Sequence, residues 1–153
     1  MKMWQKIKPY VIACLIPLLI GGLASWLTKD YTGGYNQPPL SPPDWLFPIV
    51  WTILYILMGI SSAIVYQGYH RNRERALLLY ILQLVLNFIW TIVFFRFQAY
   101  LLAVIILMTM ILVITAMILD FYKINFIAGW LQVPYLYWCF FALYLTIGVY
   151  ILN

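Results

Sequence analysis

The side chains that run ordinary biological chemistry are nearly missing from this chain of 153 residues. It carries four carboxylates and one histidine against nine Lys and Arg. No Asp, Glu, Lys, Arg or His falls midway along any of its long apolar segments. His70 lies in the basic connector HRNRER and reads as a solvated residue. With no base near a serine or cysteine, nucleophilic and acid–base catalysis lack their parts. Cys14 and Cys139 both sit in apolar runs, which points to neither a disulfide framework nor a zinc site. No haem-attachment, paired-histidine or carboxylate–histidine pattern occurs, so no metal and no resident cofactor is expected.

What the chain has in quantity is aromatic rings: seven Trp, thirteen Tyr and nine Phe. Tyr80, Gln83, Asn87, Trp90 and Phe94 recur at steps of three and four, which puts them on one stripe of a helix. Tyr135, Trp138, Ala142 and Leu145 make a second stripe, and Trp51, Tyr55 and Gly59 a third. Amides in an apolar segment must point toward other helices or a ligand, because lipid offers them nothing. Gln83 keeps both readings. Ala142 leaves a gap beside large rings, room for a planar ligand or for a close helix neighbour. Trp4, Trp26 and Trp130 are assigned to the headgroup-level aromatic belt, whereas Trp51, Trp90 and Trp138 lie deeper and are the cavity candidates. The chemistry on offer is recognition: stacking on a flat molecule and hydrogen bonding to its edge.

These stripes need helices in a membrane to hold them. Hydrophobic residues make up 66% of the chain and charged ones 8%, more apolar surface than a soluble chain of this length can bury. Five apolar segments, about 10–27, 45–67, 76–95, 100–119 and 124–152, are each long enough to cross a bilayer. The expected fold is an all-α integral membrane protein, one domain over 1–153 built as a bundle of five transmembrane helices. The N-terminal segment has features of a signal peptide, yet in a chain of spans a retained first helix is the better reading. Alternating strands of a barrel are absent. No buried ionisable group exists to couple a proton or sodium gradient, which argues against a small drug/proton antiporter.

One loop is long, about 28–44, and contains QPPLSPP. X-Pro pairs are held extended, so this stretch is stiff. With the Thr-Gly-Gly before it as a hinge, it reads as a lid over an aromatic cavity, or else as a spacer for the first helix pair. Asp44 follows the prolines and is expected to cap the second helix. Gly59-x-x-x-Ala63 offers a small-residue face for dimerisation or for packing within the bundle. The fourth segment has little polar character and is expected to face lipid or a second protomer. Lys2, Lys6, Lys8, Arg71, Arg73, Arg75 and Lys123 fall on one side of the membrane, and only Lys29 and Arg96 on the other. By the positive-inside rule the N-terminus is cytoplasmic and the long loop external, in a bacterial cell membrane.

PPDWLFPIVWTILYILMG, QLVLNFIWTIVFF and PYLYWCFFAL together resemble the tryptophan-rich sensory protein/translocator protein (TspO/MBR) family, in order and over nearly the whole chain. The resemblance implies a five-helix bundle, commonly homodimeric. It implies a pocket beneath the first loop for porphyrins such as protoporphyrin IX and for synthetic isoquinoline-carboxamide or benzodiazepine ligands, with roles in tetrapyrrole handling and stress response. Light- and oxygen-dependent porphyrin breakdown is credited to some bacterial relatives. The tryptophans held responsible match Trp51 and Trp138, the candidate catalytic residues. Pro42, Asn87, Trp90, Ala142 and Leu145 match other pocket positions, with Tyr31 added from the loop; Tyr55, Gln83 and Tyr135 complete the expected ligand-binding set. Protoporphyrin IX is then ligand or substrate, and a transporter or a ligand-sensing receptor for apolar molecules is the competing reading. The cholesterol-recognition pattern of animal members ends in a basic residue, and no Lys or Arg follows Tyr150, so specific sterol binding is not expected. No nucleic-acid partner is expected.

Overall fold

Helices are the answer to a backbone that must satisfy its own hydrogen bonds in hydrocarbon. A computed structural model of the chain describes residues 2–30 and 34–153. In it α1 spans Lys2–Thr28, α2 Leu46–Gln67, α3 Arg73–Thr91, α4 Tyr100–Ile124, α5 Phe126–Leu131 and α6 Val133–Leu152. A π-helical turn, Ile92–Arg96, prolongs α3, and α5 with α6 makes the last span. Five spans are long and apolar enough to cross a membrane.

The fifth span is broken where a continuous helix over 124–152 was expected. Asn125 ends α4 in extended backbone, and its side chain accepts hydrogen bonds from the N–H groups of Ile127 (2.9 Å) and Ala128 (3.2 Å), starting α5. Pro134 then falls in the first turn of α6, where its missing N–H costs nothing. The second start differs too. Leu46 N–H bonds to the Pro43 carbonyl at 3.0 Å, so a turn brings the chain into α2 and Trp45 holds the N-cap position without any side-chain cap. Asp44 lies one residue too early to cap the helix.

In the bundle α1 packs mainly on α2, the last span joins α2 through α5 and α4 through both α5 and α6, and α3 lies against α4 and also touches α1 and α2. Small residues set the α1–α2 contact. A Cβ on Gly59 would sit 2.4 Å from the Cys14 Cα, and one on Gly21 would sit 2.3 Å from the Tyr55 ring. The Gly59-x-x-x-Ala63 face is thus spent inside the bundle, with Ala63 also buried. On α2, Ser61 Oγ donates to the Ala128 carbonyl of α5 at 2.7 Å.

α4, expected to face lipid or a second protomer, turns only one side outward. Leu107, Met110, Ile114 and Met117 are buried between α3 and α6, while Leu101, Ile105 and Leu112 on the other side are exposed. Its uniformly apolar sequence carried no inward signal, because both lipid and core accept Leu and Ile. α4 also runs past the expected end at 119, which takes Asp120 out of the connector and into the helix. There Asp120 is 4% exposed and accepts two hydrogen bonds from the Arg75 guanidinium, at 2.7 and 2.8 Å.

Candidate functional site

α6 leans on α4, and α2 meets the last span through α5, so the outer halves of α2 and α6 are free to diverge. Between them, with α1 and α3 as the other walls, lies a cavity of about 400 Å³. Each wall follows from a periodic stripe. α1 contributes Gly21, Ala24 and Thr28, from a run of small buried residues that starts at Pro17. α2 contributes Phe47, Trp51 and Tyr55; α3 contributes Trp90 and Phe94; α6 contributes Trp138, Ala142 and Leu145.

Trp51 is the centre of the aromatic contacts. Its ring centroid lies 5.5 Å from Tyr55, 6.5 Å from Trp90, 6.2 Å from Tyr135 and 6.4 Å from Trp138. The contacts with Tyr135 and Trp138 are edge-to-face, interplanar 69° and 90°, within the geometry aromatic quadrupoles favour. Trp90 in turn stacks on Phe94 at 5.6 Å. The indole N–H groups of Trp90 and Trp138 are enclosed and make no hydrogen bond, so these residues present ring surface to the cavity.

Below this aromatic layer the polar residues hold one another. The Tyr135 hydroxyl donates to Gln83 Oε1 at 2.6 Å and accepts from Asn87 Nδ2 at 3.0 Å. All three are at least 97% buried. This ties α6 to α3 and leaves Asn87 committed to protein.

Residues 35–44 cover the outer end, where Tyr35, Pro38 and Asp44 join the lining. The segment is fastened to the outer end of α6. Asn36 N–H donates to Asn153 Oδ1 at 3.0 Å, and Asn153 Nδ2 donates back to the Asn36 carbonyl at 2.9 Å. The Tyr144 hydroxyl donates to the Pro39 carbonyl, and Pro38 lies against Gly148 so closely that a Cβ there would be 2.4 Å away. Tyr35 packs edge-on against Phe94 at 5.5 Å. Burial first, and then the Asp44 carboxylate, raise the Tyr35 phenol above its ordinary value.

The profile of the TspO/MBR family matches residues 13–152. This chain belongs to that family. It is 37% identical over 132 residues to the tryptophan-rich protein TspO of Chlorobaculum tepidum, covering 85% of this chain and 81% of the relative. It is 33% identical to the tryptophan-rich protein TspO of Archaeoglobus fulgidus, covering 94% and 95%, and 34% identical to the tryptophan-rich sensory protein of Cereibacter sphaeroides, covering 88% and 83%. Membership and the five spans make it an integral membrane protein of the TspO/MBR type.

Of the residues expected to bind ligand in this family member, Trp51, Tyr55, Trp90, Trp138, Ala142 and Leu145 are brought together on the cavity wall. Gln83, Asn87 and Tyr135 lie beneath it in the hydrogen-bonded layer and do not line it. Pro42 is half-buried and off the lining, where Pro38 and Ser41 stand instead. Tyr31 lies outside the described residues. Sequence reasoning missed the α1 wall, whose stripe of Pro17, Gly21, Ala24 and Thr28 was readable by its spacing of four, three and four. It also missed Tyr35 and Asp44, which sit in irregular chain with no period to betray them.

Proposed function

We propose that this TspO/MBR protein binds a planar tetrapyrrole, protoporphyrin IX or a close relative, in the cavity walled by Trp51, Trp90 and Trp138. The observation that carries the reading is the junction of three indoles on one apolar cavity of about 400 Å³ beneath a fastened segment. That volume is of the order used to enclose drug-sized ligands, and such sites are mostly apolar. Each ring contact with a flat ligand contributes about 0.5–1.5 kcal/mol beyond area burial. Among the described lining residues there is no His, Cys or Met, which favours a metal-free macrocycle.

Light- and oxygen-dependent breakdown of the bound porphyrin is the enzymatic form of this proposal. The excited porphyrin is its own photosensitiser there, with Trp51 and Trp138 as electron donors. Binding for transfer or sensing, without chemistry, is the second form. It is favoured by the lining itself, which pairs no base with a nucleophile among the described residues. The basic rim at the inner ends of the helices supports a cytoplasmic N-terminus and an external cover.

Titrating purified protein with protoporphyrin IX in the dark, followed by illumination, tests both forms. We expect saturable quenching of tryptophan fluorescence, followed under light by a new discrete absorber. The Trp51→Phe/Trp138→Phe double variant should lose the conversion and keep measurable quenching. An unchanged porphyrin spectrum under light leaves the binding form, and absence of quenching removes both.

A further inference from the structure

Hydroxyls are the commonest polar groups on the cavity lining, and most of them already donate within the protein. Those of Thr28, Thr91 and Thr146 each bond the carbonyl four residues back in their own helices, at 2.8, 3.0 and 2.7 Å. Ser41 Oγ donates to the Pro38 carbonyl at 2.7 Å. Ser25 is exposed, and Tyr35 belongs to the outer cover. Tyr55 is the exception. Among the described residues its hydroxyl has no hydrogen-bond partner, and it is not enclosed as the Trp90 and Trp138 N–H groups are.

Its place follows from the run of the helices. α2 starts at the outer end, so Phe47, Trp51 and Tyr55 line successive turns going inward, and Tyr55 is the last of them. The ring is braced there. A Cβ on Gly21 would sit 2.3 Å from its Cε2 and 2.8 Å from the Cζ that carries the hydroxyl. Trp51 lies 5.5 Å away, tilted by 31°. A phenol oxygen stays in the plane of its ring, so a fixed ring gives a fixed hydroxyl. The Trp51 N–H, one turn outward, also has no partner among the described residues. Two neighbouring donors suit an acceptor oxygen, and a ligand without one leaves them unpaired in apolar surroundings, which is costly.

We propose that Tyr55 is a specificity-determining residue of this cavity: its hydroxyl donates to a carbonyl-type oxygen on the leading edge of a planar ligand, and so selects ring systems that carry one over their alkyl counterparts. This rests on the planar-ligand reading and names a polar group that the ligand should bear. A few placed polar groups on an otherwise apolar wall are what fix a ligand's orientation. In a tetrapyrrole the propionate carbonyls are oxygens of this kind, as free acid or as ester.

The test measures dissociation constants by tryptophan quenching in detergent for two matched pairs. One pair is protoporphyrin IX dimethyl ester against etioporphyrin, and the other is 1-acetylpyrene against 1-ethylpyrene. Partitioning into micelles is common to native and variant protein, so it cancels when their ratios are compared. Tyr55→Phe should cut the preference for the oxygen-bearing member about fivefold, the scale of one neutral hydrogen bond. The carbonyl stretch of bound 1-acetylpyrene should lie at lower wavenumber in the native protein than in Tyr55→Phe, a shift that lost packing alone would not give. A preference and a stretch unmoved by Tyr55→Phe overturn the assignment while leaving planar-ligand binding intact. A preference that survives Tyr55→Phe and falls with Trp51→Phe overturns it in favour of the indole. Pyrene preference that depends on Tyr55, with no porphyrin binding, supports Tyr55 and removes the tetrapyrrole reading. No binding by any probe overturns both.

Discussion

Trp51 touches Tyr55, Trp90, Tyr135 and Trp138, so truncating it removes both ligand surface and the packing that orients its neighbours. We expect Trp51→Ala to weaken porphyrin binding roughly tenfold or more, from the loss of ring contacts worth about 0.5–1.5 kcal/mol each. Trp51→Phe should weaken it much less, and the comparison by fluorescence titration separates ring contact from the indole itself. Tyr135 acts one layer lower. Tyr135→Phe keeps the ring and strips the hydroxyl shared by Gln83 and Asn87, leaving two buried amides short of a partner. A loss of about 1–2 kcal/mol is expected, read as a lower thermal midpoint in detergent. The stripes of three and four residues made Trp51, Trp90 and Trp138 legible from sequence. They did not say which members of a stripe would reach a ligand. Asn87 and Trp90 share a face, yet one serves the hydrogen-bonded layer and the other the wall, a distinction of depth that periodicity does not encode.

At the scale of elements, the covering segment and α6 behave as a fastened pair. Pro38 occupies the space beside Gly148, and the two asparagines, Asn36 and Asn153, exchange hydrogen bonds. Gly148→Ala places a methyl where Pro38 sits and should lift the segment, and Asn153→Ala should loosen it without a clash. Both are expected to speed ligand release in stopped-flow dilution, Gly148→Ala more than Asn153→Ala. Rates equal to those of the native protein would show that ligand leaves by another route, between helices. Proline content announced the stiffness of this segment. Its anchoring was invisible, because contacts between residues more than a hundred positions apart leave no local pattern. The break at Gln132 was half legible: Pro134 marked a disturbance, while the Asn125 cap that starts a separate short helix did not stand out. α4 was legible as a span, but its buried face was not, since every side of it is apolar.

For the whole molecule, the division into a ligand-bearing outer half and a tightly packed inner half follows from where small and polar residues fall. The inner half is closed by α5 between α2 and α4 and pinned at its rim by Arg75 and Asp120. The two partners are unequal, since the Arg75 side chain is 61% exposed and that of Asp120 only 5%. Removing the arginine strands a covered carboxylate, whereas removing the aspartate frees a guanidinium that water can solvate. Arg75→Ala should therefore lower the thermal midpoint more than Asp120→Ala, and the reverse order would place the pair's role elsewhere. Five spans and their family were readable from composition and motif. The order of helices around the bundle, which decides where the cavity opens, was not, because short connectors fix only neighbours in sequence.

A structure of the protein determined with protoporphyrin IX bound tests the central claim most directly. The macrocycle should lie against Trp51, Trp90 and Trp138, beneath residues 35–44. A porphyrin seated on the lipid-facing surface, with those three rings packed as they are without it, would contradict the account.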